Sequence, residues 1–174
     1  MAQRATRMTI GTYEEGLQMV GHCTPPRTGD LAVSEAVVQL FCTTTEDGNR
    51  SYWDADFAAA QWGSLISPPA LLMTWYSELY WRPGDREKIP SIVRTVPLPG
   101  DRIINSRQNA EVHGPIRVGD RLTAHERLEA ISPEKETHLG PGHFVTTVCE
   151  MHGADGSLVA TIENVALRYR RREV

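Results

Sequence analysis

The sequence predicts an α+β fold, with helices in the first half of the chain and an antiparallel sheet in the second. Up to about residue 81, apolar residues recur at the three- and four-residue spacing of helices that bury one face. From Val93 onward they alternate with polar residues, as in strands with one buried face. Short turn sequences rich in Gly, Pro and Asp separate the alternating segments. Helices followed by a series of strands are typical of the α+β class.

Composition narrows the class of protein. The chain has 174 residues, of which 40% are hydrophobic and 23% are charged, and its net charge is −4. A chain of this length can bury a sizeable core, so we expect one domain over residues 1–174 with an irregular extension over residues 1–30. The mild acidity argues against a nucleic-acid partner. The one basic run, Arg168–Arg172, is interpreted as the solvated end of a strand that could at most contact a phosphate.

Two further features of the composition bear on localisation. No apolar run approaches the length of a membrane span, and the first residues lack the apolar core of a signal peptide. Cys23, Cys42 and Cys149 form no C-x-x-C pair, which favours reduced thiols over a disulfide framework. We therefore expect a cytoplasmic protein with no membrane contact.

The first predicted elements are short. A strand over Arg7–Ile10 and a helical turn over Tyr13–Val20 precede a loop at residues 24–30, where two prolines and a glycine break any period. Ser34 is a plausible N-cap for the next helix, which we expect to end near Thr45–Asp47.

Two more helices are predicted before the sheet. Asp54 can cap a short helix that runs through Gln61 and ends at Gly63. Pro69 fits the first turn of a longer helix over Ala70–Trp81, which is apolar nearly all round apart from one Glu. Such a helix should be buried on most of its surface.

The strands are predicted from the alternating segments that follow, and the turn at residues 154–156 indicates a hairpin between the last two. The predicted strands are Ile92–Leu98, Arg102–His113, Arg121–Ile131, His143–His152 and Ser157–Arg170.

One stretch, residues 43–69, carries the most chemical information. Asp47 and Asn49 precede Tyr52, an Ala-rich segment follows, and the loop Ser67–Pro69 leads into the apolar helix. The stretch resembles the active-site segment of the MaoC-like dehydratases, hot-dog-fold enzymes that hydrate enoyl-CoA or dehydrate 3-hydroxyacyl thioesters. In that family an Asp and a His five residues later lie around an Asn-Pro pair, ahead of a short Ala-rich helix. The residues that keep the family's register are Asp47, Asn49, Asp54, Phe57, Ala58, Ala59 and Ala60.

Two downstream segments extend the resemblance to about residues 30–170. Residues 111–122 resemble the turn that feeds the family's third strand, and residues 153–170 resemble its final strand. The resemblance implies a single hot-dog domain, in which an antiparallel sheet wraps around the central helix Pro69–Trp81. One such sheet leaves an edge exposed, so we expect a dimer with itself or with a related hot-dog chain.

Two departures from the family's pattern bear on catalysis. Tyr52 stands where the family has its His, and Ser67–Pro69 stands where catalytic members usually have His-Gly. A phenol, with a pKa of roughly 10, is a poor general base at neutral pH. Pro68 and Pro69 carry no backbone N–H for the thioester oxygen. The candidate catalytic pair of Asp47 and Tyr52 is therefore interpreted as vestigial.

A simpler interpretation of the same residues stays open, since Asp47 and Asn49 could merely form a turn between two helices. His113 lies where the family's long strand ends beside the acyl pocket, although a hydrogen-bonded strand-end His would also explain it. The other histidines lack the spacing of zinc ligands, so no metal is expected. The residues implied to border the acyl pocket are Asn49, Ser67, Pro68, Pro69, Ala70 and His113.

Three functional hypotheses follow. In the first, the chain is a subunit of a heteromeric enoyl-CoA hydratase that forms the pocket for a bulky or long acyl chain, of steroid or fatty-acid type, while a partner supplies the Asp/His pair. In the second, it is a self-sufficient homodimeric lyase that uses Asp47 with Tyr52 or His113. In the third, it binds acyl-CoA without turnover. No cofactor is expected beyond the CoA or acyl-carrier thioester itself.

The segment Arg82–Asp101 is longer than a direct connection from helix to strand requires. A loop of this length in a compact domain is usually functional or mobile. We expect it to cap or widen the acyl tunnel, with a surface insertion of no ligand role as the alternative.

Overall fold

A five-stranded antiparallel sheet forms the centre of the computed structural model, which describes residues 8–79, 81, 83 and 90–172. The order of the strands across the sheet is β1-β3-β4-β5-β2. The last three strands in the chain, β3 to β5, pair as consecutive antiparallel neighbours, and β2 adds to the far side of β5. The strands are β1 (Arg27–Thr28), β2 (Arg102–Val112), β3 (Thr123–Ile131), β4 (Gly142–His152) and β5 (Leu158–Tyr169).

The alternating segments predicted the four long strands correctly, each to within two residues at either end. The alternation also indicates which face of each strand is buried. Residues at alternate positions of β4 and β5 lie in the core, among them Val145, Met151, Ile162 and Ala166. This bears out the α+β, hot-dog architecture expected from the sequence.

The helices lie mostly ahead of the sheet in the chain. Asp54 caps α4 as predicted, with its carboxylate accepting the Phe57 N–H at 2.9 Å, and Gly63 ends that helix in a left-handed conformation. Ser34 holds the N-cap position of α2 but makes no side-chain capping bond. The helices are α1 (Tyr13–Leu17), α2 (Glu35–Thr45), α3 (Arg50–Trp53), α4 (Ala55–Trp62), α5 (Leu72–Tyr76) and α6 (Ile92–Thr95), with a 3₁₀ turn at Pro69–Leu71 before α5.

Two separate apolar clusters fill the inner face of the sheet. The α5 cluster packs buried residues of α2 and α5, among them Val38, Leu72 and Trp75, on strand residues such as Met151 and Ile162. The α6 cluster packs α6 on other strand residues; its members are Ile92, Val93, Val96, Leu98, Leu128, Ile131, Val145 and Ala166.

The central helix is much shorter than predicted. The sequence predicted Ala70–Trp81, but α5 ends at Tyr76. Arg27 donates to the Tyr76 carbonyl at 3.2 Å and forms an ion pair with Glu78 at 2.8 Å, so a tertiary contact holds the chain in a non-helical path beyond Tyr76. The expectation of burial all round was also wrong, since Trp81 is 71% exposed.

The strand predicted over Ile92–Leu98 is instead helix α6 followed by an isolated bridge at Leu98. This places the second half of the Arg82–Asp101 segment in the core rather than in a loop. Residues 82 and 84–89, on which the expectation of a tunnel cap mainly depended, lie outside the described residues.

The prediction that the basic run Arg168–Arg172 is solvated is wrong for Arg168. Its side chain is 0% exposed, and its guanidinium donates to the carbonyls of Thr9, Val93, Val96 and Gly100 at distances of 2.6–3.2 Å. Arg168 lies on the inner face of β5, under the C-terminal end of α6, where buried carbonyls need donors. The next basic residues, Arg170 and Arg172, are solvated as predicted.

The described part of the predicted N-terminal extension is more regular than expected. Residues 21–28 run alongside β3, with Gly21 and Thr24 donating to carbonyls of that strand and with β1 as the edge. Arg7 of the predicted Arg7–Ile10 strand lies outside the described residues, and Ile10 forms an isolated bridge with Leu98.

Candidate active site

Asp47 and Asn49 are engaged in local structure between α2 and α3. The Asp47 carboxylate accepts the Asn49 N–H at 3.0 Å, and the Asn49 side-chain oxygen accepts the Ser51 N–H at 3.0 Å as the N-cap of α3. The Trp53 indole N–H donates to the Asp47 carbonyl at 2.7 Å. Asx turns of this kind hold a tight connection between helices. Both side chains thus have a structural role of the kind the simpler interpretation requires.

Tyr52, at the position of the family's His, is buried in the α5 cluster. Burial raises the pKa of its hydroxyl, and the nearby Asp47 carboxylate and Cys42 thiol raise it further, while a hydrogen bond from Asn49 acts in the opposite direction. A general base must be deprotonated at the working pH in order to accept a proton. The surroundings of Tyr52 raise its pKa further from neutrality, so its phenolate is even less available than that of a free tyrosine.

The Ser67–Pro69 loop begins the path into α5. The Ser67 N–H donates to the Ile116 carbonyl at 2.7 Å, and the Ser67 hydroxyl accepts the Trp75 indole N–H at 2.7 Å while donating to the Pro68 carbonyl at 3.2 Å. Pro68 is buried, whereas Pro69 and Ala70 are exposed. The loop is fixed by these bonds and offers no N–H from its two prolines.

His113 follows the end of β2, as predicted. Its Nε2 lies 2.9 Å from the Thr161 hydroxyl on β5, and its Nδ1 lies 3.9 Å from a Glu111 carboxylate oxygen. Within the described residues, none of its hydrogen bonds or ion pairs reaches Asp47 or Tyr52. The structure thus brings Asp47, Asn49 and Tyr52 together but leaves His113 as a hydrogen-bonded histidine at a strand end.

A cavity of about 540 Å³ opens on the inner face of the sheet, beyond the end of the short α5. Residues of β2, β3, β4 and β5 form its floor, and the end of α5 and residues 90–94 form its walls. None of the eight residues predicted for the site lines it, so the space lies next to the predicted site rather than within it. A cavity of this size can hold a bulky organic group.

Sequence reasoning missed the charged wall of this cavity. Arg27 stacks on the Tyr76 ring at 4.5 Å from its centroid and pairs with Glu78, and both side chains of that pair are largely buried. Opposite Tyr76, burial raises the pKa of the Cys149 thiol to about 11. The sequence contained one indication of this charged wall: Glu78 is the only charged residue in the otherwise largely apolar run from Ala70 to Trp81.

The described residues contain no group of three or more His, Cys, Asp or Glu side chains placed to hold a metal ion. Within the same part of the chain, no helix has both the length and the apolar character needed to cross a membrane.

Known proteins resemble this chain in sequence and in fold. The chain is 27% identical over 171 residues to a protein of Thermomonospora curvata named "Probable enoyl-CoA hydratase alpha subunit", covering 92% of this chain and 53% of that protein. It therefore spans about half the length of that relative.

Two solved structures share the fold. The crystal structure of the ChsH1–ChsH2 complex from Mycobacterium tuberculosis superposes with a TM-score of 0.69 at 19% identity, covering 92% of each chain. The (R)-hydratase from A. caviae involved in PHA biosynthesis superposes with a TM-score of 0.56 at 24% identity, covering 84% of this chain and 94% of that one.

The model of one protein family, described as "FAS1-like, dehydratase domain region", matches residues 18–162. The match covers most of the chain and includes α2 to α5, the Ser67–Pro69 loop and most of the sheet. The chain therefore belongs to the FAS1-like dehydratase family, and its hot-dog fold agrees with the resemblance to the MaoC-like dehydratases.

Proposed function

We propose that this chain is the pocket-forming subunit of a heteromeric enoyl-CoA hydratase or 3-hydroxyacyl thioester dehydratase. It binds a bulky or long acyl chain, and a second hot-dog chain supplies the Asp/His pair that performs the chemistry. The name of the T. curvata relative, an enoyl-CoA hydratase subunit, and the two-chain assembly of ChsH1 with ChsH2 support this proposal.

One observation carries the proposal: the groups at the family's catalytic positions are either missing or already used. Hydration needs a proton-transfer group near neutral pKa and free N–H donors at the thioester oxygen. Here Tyr52 is a buried phenol with a raised pKa, Ser67 is bonded through both its N–H and its hydroxyl, and the next two residues are prolines. These positions support structure rather than acid–base chemistry.

The cavity supports the assignment of a bulky substrate. Helix α5 ends at Tyr76, and Tyr76, Ser77 and Glu78 line the cavity. The described residues leave a space of about 540 Å³ on the inner face of the sheet, between the two apolar clusters. A large acyl group could occupy that space.

Strand β2 supports the assignment of a partner chain. Among the described strands it pairs with β5 alone, and it is exposed along nearly its whole length of 11 residues. A long unpaired strand edge is a template for another chain. Exposed β2 residues Asn105 and Gln108 also line the cavity, so a partner added at this edge would lie beside the bound acyl group.

The decisive experiment compares the chain alone with the chain assembled with the hot-dog protein that co-purifies with it. We expect the assembled complex to hydrate enoyl-CoA thioesters roughly 100-fold faster or more, since a positioned acid–base pair contributes on that order. Turnover would be followed as loss of the enoyl thioester absorbance at equal active-site concentration. Equal turnover by the lone chain would refute the proposal.

Substitutions at the vestigial site test the same division of labour. In the assembled complex, Asp47→Asn and Tyr52→Phe should each leave kcat/KM within about threefold of the unsubstituted complex, because neither group moves a proton in the reaction. Replacing the Asp or His of the partner's pair should abolish turnover. A loss of 100-fold or more from Tyr52→Phe, with the protein still folded, would favour a self-sufficient lyase instead.

A further inference from the structure

A row of polar side chains crosses the floor of the cavity. Gln108 on β2 lies directly opposite Asn164 on β5, which lies directly opposite Thr147 on β4, so the three side chains form one line across three neighbouring strands. All three line the cavity. We refer to Gln108, Asn164 and Thr147 as the polar row.

The polar row separates the two apolar clusters. On β5, Ile162 lies two residues before Asn164 and belongs to the α5 cluster. Ala166 lies two residues after Asn164 and belongs to the α6 cluster. On β4, Val145 also belongs to the α6 cluster. The inner face is therefore apolar, polar and apolar in turn, and the polar part coincides with the cavity.

The polar row has no hydrogen-bond partner in the part of the chain that the structure describes. Thr147 is only 1% exposed, Asn164 is half-buried and Gln108 is exposed, so the row leads from the β2 edge into the interior. Among the described residues, no fully buried side-chain nitrogen or oxygen lacks a partner, so the polar atoms of the row face the open space of the cavity. A ligand that fills the cavity must supply hydrogen bonds to these atoms or leave them unpaired.

The chemistry of the row indicates the kind of group it can hold. Hydroxyl and amide side chains both donate and accept hydrogen bonds and carry no charge. Among the described residues, the charged side chains of the cavity wall are those of Arg27, Arg94, Glu78 and Glu126, whose formal charges balance. These features favour a neutral oxygen function over a carboxylate, and a purely hydrocarbon tail would leave the row unpaired.

We infer that the acyl group bound in this cavity carries a hydroxyl or ketone oxygen part-way along its skeleton, held by Thr147 and Asn164. This inference rests on the proposed function and names the substrate class for it. Discrimination arises because a site with buried hydrogen-bonding groups rejects an analogue that lacks the matching oxygen.

The test measures binding of CoA thioesters by calorimetry, using the chain assembled with its co-purifying partner. The probes are a saturated medium-chain acyl-CoA and its monoketone isomers, in which one carbonyl is moved stepwise along the chain. We expect at least one isomer to bind roughly tenfold more tightly than the saturated thioester. Thr147→Val and Asn164→Leu should each remove most of that preference while leaving the affinity for the saturated thioester nearly unchanged.

The matched control is Thr146→Val, the same substitution on the neighbouring residue of β4, whose side chain is on the opposite face of the sheet. It should preserve the preference, and Thr147→Ser should preserve most of it. Equal binding of all isomers and the saturated thioester would overturn this inference and leave the proposed function standing. Failure of the complex to bind any acyl-CoA would overturn both.

Discussion

Replacing Arg168 with methionine should lower the free energy of unfolding by about 3–5 kcal/mol, because several buried carbonyls lose their donor and each costs about 1–3 kcal/mol when left unpaired. The guanidinium donates to two carbonyls of the α6 turn and to those of Gly100 and Thr9. Burial lowers the pKa of the guanidinium, but arginine remains charged at any pH at which the protein folds. Methionine fills much of the space and donates nothing, so the carbonyls lose their partners.

The measurement is urea denaturation at several protein concentrations, with the midpoint and slope fitted separately. Arg170→Met and Arg172→Met are the matched controls, because these arginines form exposed ion pairs with Glu134 and Glu136. Exposed pairs contribute about 0–1 kcal/mol. If Arg168→Met proved no more destabilising than Arg170→Met, the buried contacts would have no net stabilising role.

Replacing Trp75 with alanine should cost about 3–5 kcal/mol, the range for removing a fully buried large aromatic side chain. Trp75 is 0% exposed at the centre of the α5 cluster, and its indole N–H donates to the Ser67 hydroxyl at 2.7 Å. The substitution would leave a cavity and release the loop that leads into α5. We also expect weaker acyl-CoA binding, since α5 continues into the cavity wall.

Trp62 provides a close control. Its indole N–H likewise donates to a serine hydroxyl, that of Ser51 at 3.0 Å, but its side chain is 39% exposed. Trp62→Ala should therefore cost about 1–2 kcal/mol, because less apolar surface is buried there. Chemical denaturation of both variants gives the comparison, and similar losses would show that the hydrogen bond rather than burial sets the stability.

The sheet could be predicted because its signals are local. Alternation of apolar and polar residues and the Gly- and Pro-containing turns predicted β2 to β5 closely, and Asp54 and Gly63 predicted the ends of α4. Each of these signals acts through residues adjacent in sequence, so no knowledge of the tertiary structure was needed.

The errors arose where distant residues decide the conformation. The run from Ala70 to Trp81 is apolar enough for a long helix, but Arg27 ends α5 at Tyr76 through its bonds to the Tyr76 carbonyl and to Glu78. Ile92–Leu98 alternates sufficiently to suggest a strand, yet it forms α6. The buried donors of Arg168, 72 positions from Val96, satisfy the carbonyls at the end of that helix.

The candidate site was predictable only in part, for the same reason. The grouping of Asp47, Asn49 and Tyr52 follows from their closeness in sequence. The cavity could not be predicted, because it depends on where α5 ends and on which residues of separate strands lie opposite each other. The polar row is an example, since Gln108, Asn164 and Thr147 become neighbours only through the register of β2, β5 and β4.

The order of the strands also has a consequence for biosynthesis. Strand β5 is the last of the five in the chain, yet it lies between β4 and β2 in the sheet. Near its end, Arg168 donates a hydrogen bond to the carbonyl of Thr9, 159 residues earlier in the chain. Because a chain emerges from the ribosome N-terminus first, β2 has no sheet neighbour from the same chain until β5 has been made. For that interval an 11-residue strand is open on both edges to other nascent chains. Completion of the sheet, and with it the covering of one edge of β2, therefore waits for the last strand of the chain.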